Sequence, residues 1–458
     1  MVSAHLLALS VSLPVLVGGA YASLRSKWAG IVAMAFALAL TLLAGLVEYG
    51  GTSCVVWFTL LQAPLCFGLS GVSMGLAFAA FIAAVAIIGF AEAWGLEKVD
   101  VFRCWVTLVY AVLLGLVYAT SLVAFYVFWE LLMVVAVLMV RSWDRRIALQ
   151  FFIYTHLGSL LLLVSISALI ALGVTVFGVS LGANMLTLAA LGLALTAFAI
   201  KFGVFPFHTW LPRTYARLPY PLAAVLAGLV GSGGAYGMYR FLAGFNWPGT
   251  ALTLLTVAVW VGAISALVGG LRALSAGRIG ELAAYSSIGH GSFVFAGLAS
   301  LTRLAVAGSA YYLIANCVVK SLFFLVAGAT VLAAGTDDLR RMGLFARTMP
   351  LTAFSAFAAS LSIAGMPPFA LFPGELFVII GVGSKLFWVA VLLAIAAFAS
   401  AAYAVRFWVR VFWHPPTAVP RTLPREASWG LVLPMLALSI TSLLMGSLPP
   451  IVYSLIGV

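Results

Sequence analysis

Residues Leu191–Phe241 read LGLALTAFAIKFGVFPFHTWLPRTYARLPYPLAAVLAGLVGSGGAYGMYRF. One lysine, Lys201, stands in the body of an apolar run, and Pro206 follows five residues later. Proline has no backbone N–H and its ring clashes with the preceding turn, so a helix carrying Lys201 has to break there. An aromatic link, Phe207-His208-Thr209-Trp210, leads through basic residues into a second apolar helix. A lysine at mid-membrane depth costs roughly 2.5–3.5 kcal/mol on insertion scales, so it normally faces a polar cavity or a partner. An apolar helix interrupted beside such a charge points to an ion site of the kind transporters use. The plainer reading is a lysine that snorkels to the interface from near a helix end.

The whole chain supports a membrane setting. Of its 458 residues 65% are hydrophobic and 7% charged, which excludes a soluble globular protein. Apolar runs of about 20 residues recur from end to end, each long enough to cross a bilayer as a helix. This composition predicts an all-α polytopic membrane protein with no soluble domain. The net charge of +12 is scattered through short loops and reads as a topology signal, not as a nucleic-acid surface. Ala20-Tyr21-Ala22 resembles a signal-peptidase site but has no basic start before it, so the first span reads as uncleaved. Cys54, Cys66, Cys104 and Cys317 form no C-x-x-C pair and read as small apolar fillers, not as metal or cluster ligands. No phosphate-binding loop is present, and Gly231-Ser232-Gly233-Gly234 reads as a helix-packing face. The chain is therefore expected to carry no cofactor, no metal and no catalytic redox centre of its own.

Fourteen spans are expected, at about 4–22, 29–47, 72–93, 104–120, 122–140, 150–172, 187–205, 219–242, 251–271, 281–299, 305–333, 350–382, 387–412 and 430–454. Residues 54–71, with Gln62 and Pro64, read as an extended, partly buried connection. With the N-terminus outside, eighteen Lys and Arg residues, among them Arg141, Arg145, Arg146, Arg340, Arg341 and Arg421, fall in cytoplasmic loops. Only Arg240 and Arg303 fall outside, a strong positive-inside bias that also places both termini outside. A second break is expected at Gly365-Met366-Pro367-Pro368, followed by Glu375. Each break lies in the fourth helix of a five-helix unit, and an odd number of helices inverts the second unit relative to the first. The expected organisation is a three-helix segment (1–103), a first repeat (104–242), a second, inverted repeat (251–412) and a C-terminal helix (413–458).

The titratable residues inside spans carry the functional reading. Glu130, in Tyr126-Val127-Phe128-Trp129-Glu130, is flanked by apolar residues and needs a cation to stay charged; Lys201 is the expected partner. Such a pair serves either as a static structural ion pair or as a switch that moves a proton. His290, Lys320 and Glu375 place titratable groups in the tenth, eleventh and twelfth spans, a chain of proton hops through water. His156 reads as a histidine satisfied by helix packing, and Lys385 as a helix-end residue.

Several of these stretches resemble the antiporter-like subunits of complex I and its relatives. Lys201-Phe-Gly-Val-Phe-Pro-Phe-His-Thr-Trp-Leu-Pro is similar to that family's first broken helix, and Phe128-Trp129-Glu130 to its fifth-helix glutamate. Ala284-Tyr285-Ser286-Ser287-Ile288-Gly289-His290 and Ala364-Gly365-Met366-Pro367-Pro368 are similar to its tenth-helix and second broken-helix motifs. The resemblance runs from about residue 70 to 412. It implies fourteen helices, two inverted repeats and ion translocation through two linked half-channels, in the cytoplasmic (inner) membrane of a prokaryote. Glu130 and Lys201 would be the first coupled pair, His290 and Lys320 would lie on the connecting axis, and Glu375 would be the terminal group. The implied partners are further antiporter-like and small hydrophobic membrane subunits, lipid, and peripheral redox subunits. Iron–sulfur clusters, with nickel–iron or flavin, would reside in those peripheral subunits. The chain departs from the family at Ser232, where many members carry an eighth-helix lysine or histidine. Bound water would have to replace that residue, or this copy does not conduct. Lys320-Ser-Leu-Phe-Phe-Leu and Pro367-Pro368-Phe-Ala-Leu-Phe with Glu375 look most like the hydrogenase-4 and formate hydrogenlyase type, and Asp338-Leu-Arg-Arg-Met-Gly-Leu-Phe leans toward hydrogenase and Mrp-antiporter relatives. The chain is also expected to lack the long lateral helix of the most distal complex I subunit. The rival readings are a subunit of a redox-free cation/proton antiporter and a non-conducting structural module.

Overall fold

The computed structural model describes residues 3–58, 63–416 and 425–448. The expectations for Gln62, Arg421 and the two termini lie outside or at the edge of those residues. The chain is a helical membrane protein. In order the helices are α1 (Ala4–Ala22), α2 (Ala29–Val47), α3 (Gly71–Trp94), α4 (Val99–Tyr118), α5 (Leu122–Arg141) and α6 (Arg145–Ala171). Then come α7 (Met185–Phe202), α8 (Trp210–Tyr215), α9 (Tyr220–Ala224), α10 (Gly231–Ala243), α11 (Leu252–Ser275) and α12 (Ile279–Ala299). The last are α13 (Arg303–Ala334), α14 (Pro350–Ile363), α15 (Leu371–Gly383), α16 (Phe387–Trp408) and α17 (Trp429–Ser447).

Among the described residues twelve spans are long and apolar enough to cross a membrane. The other two expected ones differ in character. The tenth is α12, 21 residues long and interrupted by Glu281, Ser286, Ser287, His290 and Ser292. The twelfth is split into α14 and α15, of 14 and 13 residues. Polar groups are excluded from lipid but tolerated where protein surrounds them, and α12 is accordingly buried along most of its length.

Both breaks occur where proline predicts them, and each begins at a left-handed glycine. Gly203 (φ 65°) ends α7, and Val204 N–H donates back to Ala199 O at 2.8 Å. Glycine takes this conformation without a Cβ penalty, which makes it the usual helix terminator. The backbone groups released by the break find partners: Trp210 Nε1 donates to Ile200 O at 3.0 Å, and Phe205 N–H donates to Ser265 Oγ at 2.9 Å. In the second break Gly365 (φ 60°) follows α14, and Met366 N–H donates to Leu361 O at 3.1 Å. A third irregularity was not legible beforehand: Val225–Val230, between α9 and α10, is a π-helical turn packed against α13. Such turns recur at functional sites.

The connection at 54–71 is extended, as expected, and forms a hairpin of β1 (Thr52–Phe58) and β2 (Ala63–Gly68). Its antiparallel register sets Cys54 opposite Cys66, and the two form a disulfide. The reading of all four cysteines as fillers is therefore corrected for this pair. The strand pairing brings together residues that look unrelated in the sequence. Cys104 and Cys317 are free.

Candidate functional site

Three of the titratable residues expected from the sequence, His290, Lys320 and Glu375, gather where α12, α13, α15 and α16 meet. Lys320 of α13 is buried, and its Nζ donates to Ser286 Oγ of α12 at 2.6 Å. Ser286 Oγ is 2.6 Å from Tyr403 Oη of α16, which is 2.9 Å from His290 Nε2. On the other side of the ring His290 Nδ1 hydrogen-bonds Tyr312 Oη of α13. Tyr312 in turn donates to Glu375 Oε1 of α15 at 3.3 Å. All six side chains are buried. His290, Lys320 and Glu375 are thus joined by direct contacts, where hops through water were expected. The links between them are Ser286, Tyr403 and Tyr312, and sequence reasoning missed the two tyrosines.

The second break positions Glu375. A Cβ on Gly365 would stand 1.8 Å from Glu375 Oε2, so the carboxylate is seated on the glycine itself. Placement of Glu375 one turn into α15 lets it reach back to that point.

In the first half, Lys201 lies along α10. A Cβ on Gly234 would be 3.2 Å from Lys201 Cγ, and the ammonium sits 5.5 Å from the Trp129 ring centroid. Such a cation–π contact is worth about 0.5–2 kcal/mol, depending on desolvation. Glu130 is bound differently from expectation. Its Oε1 is 3.1 Å from His156 Nδ1 on α6, while its Oε2 has no hydrogen-bond partner. Among the described residues no ion pair within 4.0 Å joins Glu130 to Lys201. The reason is geometric: α5 packs on α6, so a carboxylate on α5 meets the α6 histidine, whereas the lysine stem is drawn along the glycine face of α10. His156, expected to be a packing histidine, also stacks on Phe152.

A cavity of about 40 Å³ connects the halves, lined by Lys201, His290, Asn316 and Lys320 among others. A water needs roughly 10–15 Å³ of such space and two or more polar partners, so two or three waters fit. Asn316 Oδ1 is buried without a partner and supplies an acceptor to such waters. Gly231 and Ala235 line this cavity, while Ser232 between them is buried against Cys317. His208, in the turn after the first break, stacks on Phe205 outside the cavity. Among the described residues no group of three His, Cys, Asp or Glu side chains is placed to hold a metal ion.

Two broken helices, each with a titratable side chain beside its glycine–proline motif, set the class of the chain as a polytopic helical membrane protein built around interrupted spans. The chain belongs to the NADH:quinone oxidoreductase/Mrp antiporter family, whose transmembrane model matches residues 119–400. It is 32% identical over 310 residues to NAD(P)H-quinone oxidoreductase chain 4 1 of Synechococcus sp. (strain JA-3-3Ab), covering 65% of this chain and 58% of that one. It is 30% identical over 343 residues to F(420)H(2) dehydrogenase subunit M of Methanosarcina mazei, covering 71% and 69%. The chain thus spans under two thirds of the first of these relatives. In fold it is similar to a chain of the Mrp complex from Dietzia sp. DQ12-45-1b, with TM-score 0.86, 22% identity and 98% and 96% coverage. It is also similar to a chain of respiratory complex I from Thermus thermophilus, with TM-score 0.81, 24% identity and 98% coverage of both.

Proposed function

We propose that this chain is an ion-translocating membrane subunit of a complex-I-like redox assembly, moving protons through two linked half-channels. The observation that carries the proposal is the unbroken set of contacts from Lys320 to Glu375, with the cavity leading on to Lys201. Buried titratable groups are expensive in a membrane interior, and their alignment along one axis is best explained by charge transfer along it. In this reading Glu130, paired with His156, and Lys201 serve the first half, and the small cavity takes over the part that a basic residue at Ser232 would play. The inverted repeats are 104–242 and 251–412, flanked by 1–103 and 413–458, and the span count is fourteen.

The chain sits in the inner membrane of a prokaryote with both termini outside. The arginine distribution supports this, as does the Cys54–Cys66 disulfide, since disulfides persist in oxidising compartments and this hairpin lies on the arginine-poor side. Its partners are other membrane subunits and a peripheral redox module that holds the flavin, iron–sulfur or nickel–iron centres. Purification of the intact complex tests the reading. A copurifying iron–sulfur subunit and proton uptake tied to electron transfer support it; only small hydrophobic partners and sodium-driven exchange would establish the redox-free antiporter instead.

A further inference from the structure

We infer that Lys320, Ser286, Tyr403, His290, Tyr312 and Glu375 form one polarised proton wire, in which the two tyrosines are required links. The inference rests on the proposed function and adds the direction and the carriers.

The polarity follows from the ends. An ammonium can only donate and a carboxylate can only accept. Lys320 Nζ donates to Ser286 Oγ, which leaves the serine proton directed at Tyr403 Oη, 2.6 Å away. Tyr403, accepting there, gives its own proton to His290 Nε2 at 2.9 Å. An imidazole that accepts at Nε2 carries its proton on Nδ1, and that N–H donates to Tyr312 Oη. Tyr312 O–H completes the series at Glu375 Oε1. Every donor points along the series from Lys320 toward Glu375. The ring tautomer is fixed by the hydrogen bonds on both sides of it.

Transfer is a shift of one proton per link. The Lys320 N–H bond breaks and a proton joins Ser286 Oγ as the serine proton passes to Tyr403. The Tyr403 proton passes to Nε2, the Nδ1 proton to Tyr312, and the Tyr312 proton to Glu375. The net change is one proton from Nζ to the carboxylate, with both ends left neutral and no electron moved. The wire is now polarised the other way, with His290 protonated on Nε2. A second proton cannot follow until Glu375 has released its proton, Lys320 has regained one and the wire is back in its first polarity.

The test uses the whole complex in liposomes, reading protons moved per electron transferred and subunit stoichiometry. Tyr403→Phe and Tyr312→Phe keep the rings and remove only the O–H. Both are expected to lower the proton yield by the full share of this chain, matching Lys320→Met and Glu375→Gln. If the phenylalanine variants translocate normally while Lys320→Met and Glu375→Gln do not, the wire is wrong and the proposed function stands. If none of the four lowers the yield, both fall. Should a variant fail to assemble, the wild-type complex decides. With ¹⁵N-labelled histidine, the signal lost in His290→Gln should be that of a neutral ring protonated on Nδ1; an Nε2-protonated or doubly protonated ring overturns the inference.

Discussion

Replacing Gly365 by alanine tests whether the second break is a seat for Glu375 or merely an interruption. Two costs are separable. The first is conformational: an L side chain at φ 60° costs about 1–2 kcal/mol. The second is steric. The new Cβ would stand 1.8 Å from Glu375 Oε2, whereas real Cβ contacts essentially never fall under 3.0 Å, so the carboxylate must withdraw by about 1.2 Å. Its hydrogen bond from Tyr312 is already 3.3 Å long, and an additional shift away takes it past any useful geometry. A hydrogen bond to a charged group is worth about 1.5–3 kcal/mol, so the total destabilisation is about 2.5–5 kcal/mol. Gly365→Asn distinguishes the terms, because asparagine tolerates the left-handed region but brings the same Cβ. Thermal unfolding of the purified complex should show the alanine variant least stable, with asparagine between it and the wild type. Proton yield per electron should fall in both. Normal yield and unchanged stability in Gly365→Ala would show that Glu375 does not depend on this glycine.

The first half gives its own expectations. Lys201→Ala should abolish proton translocation while electron transfer on the partner subunits persists in part; full coupling in that variant would remove Lys201 from the pathway. His156→Phe keeps the stacking on Phe152 but strips Glu130 of its hydrogen-bond partner, a loss of about 1.5–3 kcal/mol visible in thermal stability, and an unchanged melting point would mean that the pair is incidental. For topology, cysteines placed at Ser142 and Thr348 should react with impermeant reagents only from the cytoplasmic side. Labelling of these positions from outside in intact cells would reverse the assigned orientation. Cys54 and Cys66 should resist alkylation in intact cells until an impermeant reductant is added; free thiols in untreated cells would contradict the hairpin.

The parts legible in the sequence were those that violate the apolar background. Lys201, Lys320, Glu130, Glu375 and His290 stand out because a charge inside a span needs a reason, and Pro206, Pro367 and Pro368 because proline ends a helix wherever it falls. Tyr312 and Tyr403 did not, since the chain has 15 tyrosines and a buried aromatic ring is an ordinary core residue until its hydroxyl is located. The Glu130–His156 contact depends on how α5 and α6 are rotated against each other, which no local pattern records. Seryl and glycyl positions such as Ser286 and Gly365 were visible within motifs, but their jobs depend on neighbours from other helices. The disulfide was hidden for the same reason: hairpin register is a pairing property, and twelve residues of separation carry no mark of it.

That disulfide also bears on how the protein must be made. It closes a short loop between the second and third helices, so the hairpin emerges from the ribosome before five-sixths of the chain exists. In the chain-entropy picture, clipping a loop of this size contributes about 3 kcal/mol, available while the later helices are still unpaired. Cys66 O accepts from Thr120 N–H, and Cys66 N–H donates to Ser121 Oγ, the residue that caps α5. The clipped hairpin is therefore a template on which the start of α5, and with it Glu130, is laid down. With the hairpin facing outward as proposed, a host lacking thiol-oxidising machinery on that side, or a purification kept under strong reductant, would yield a chain whose first half assembles around a loose edge.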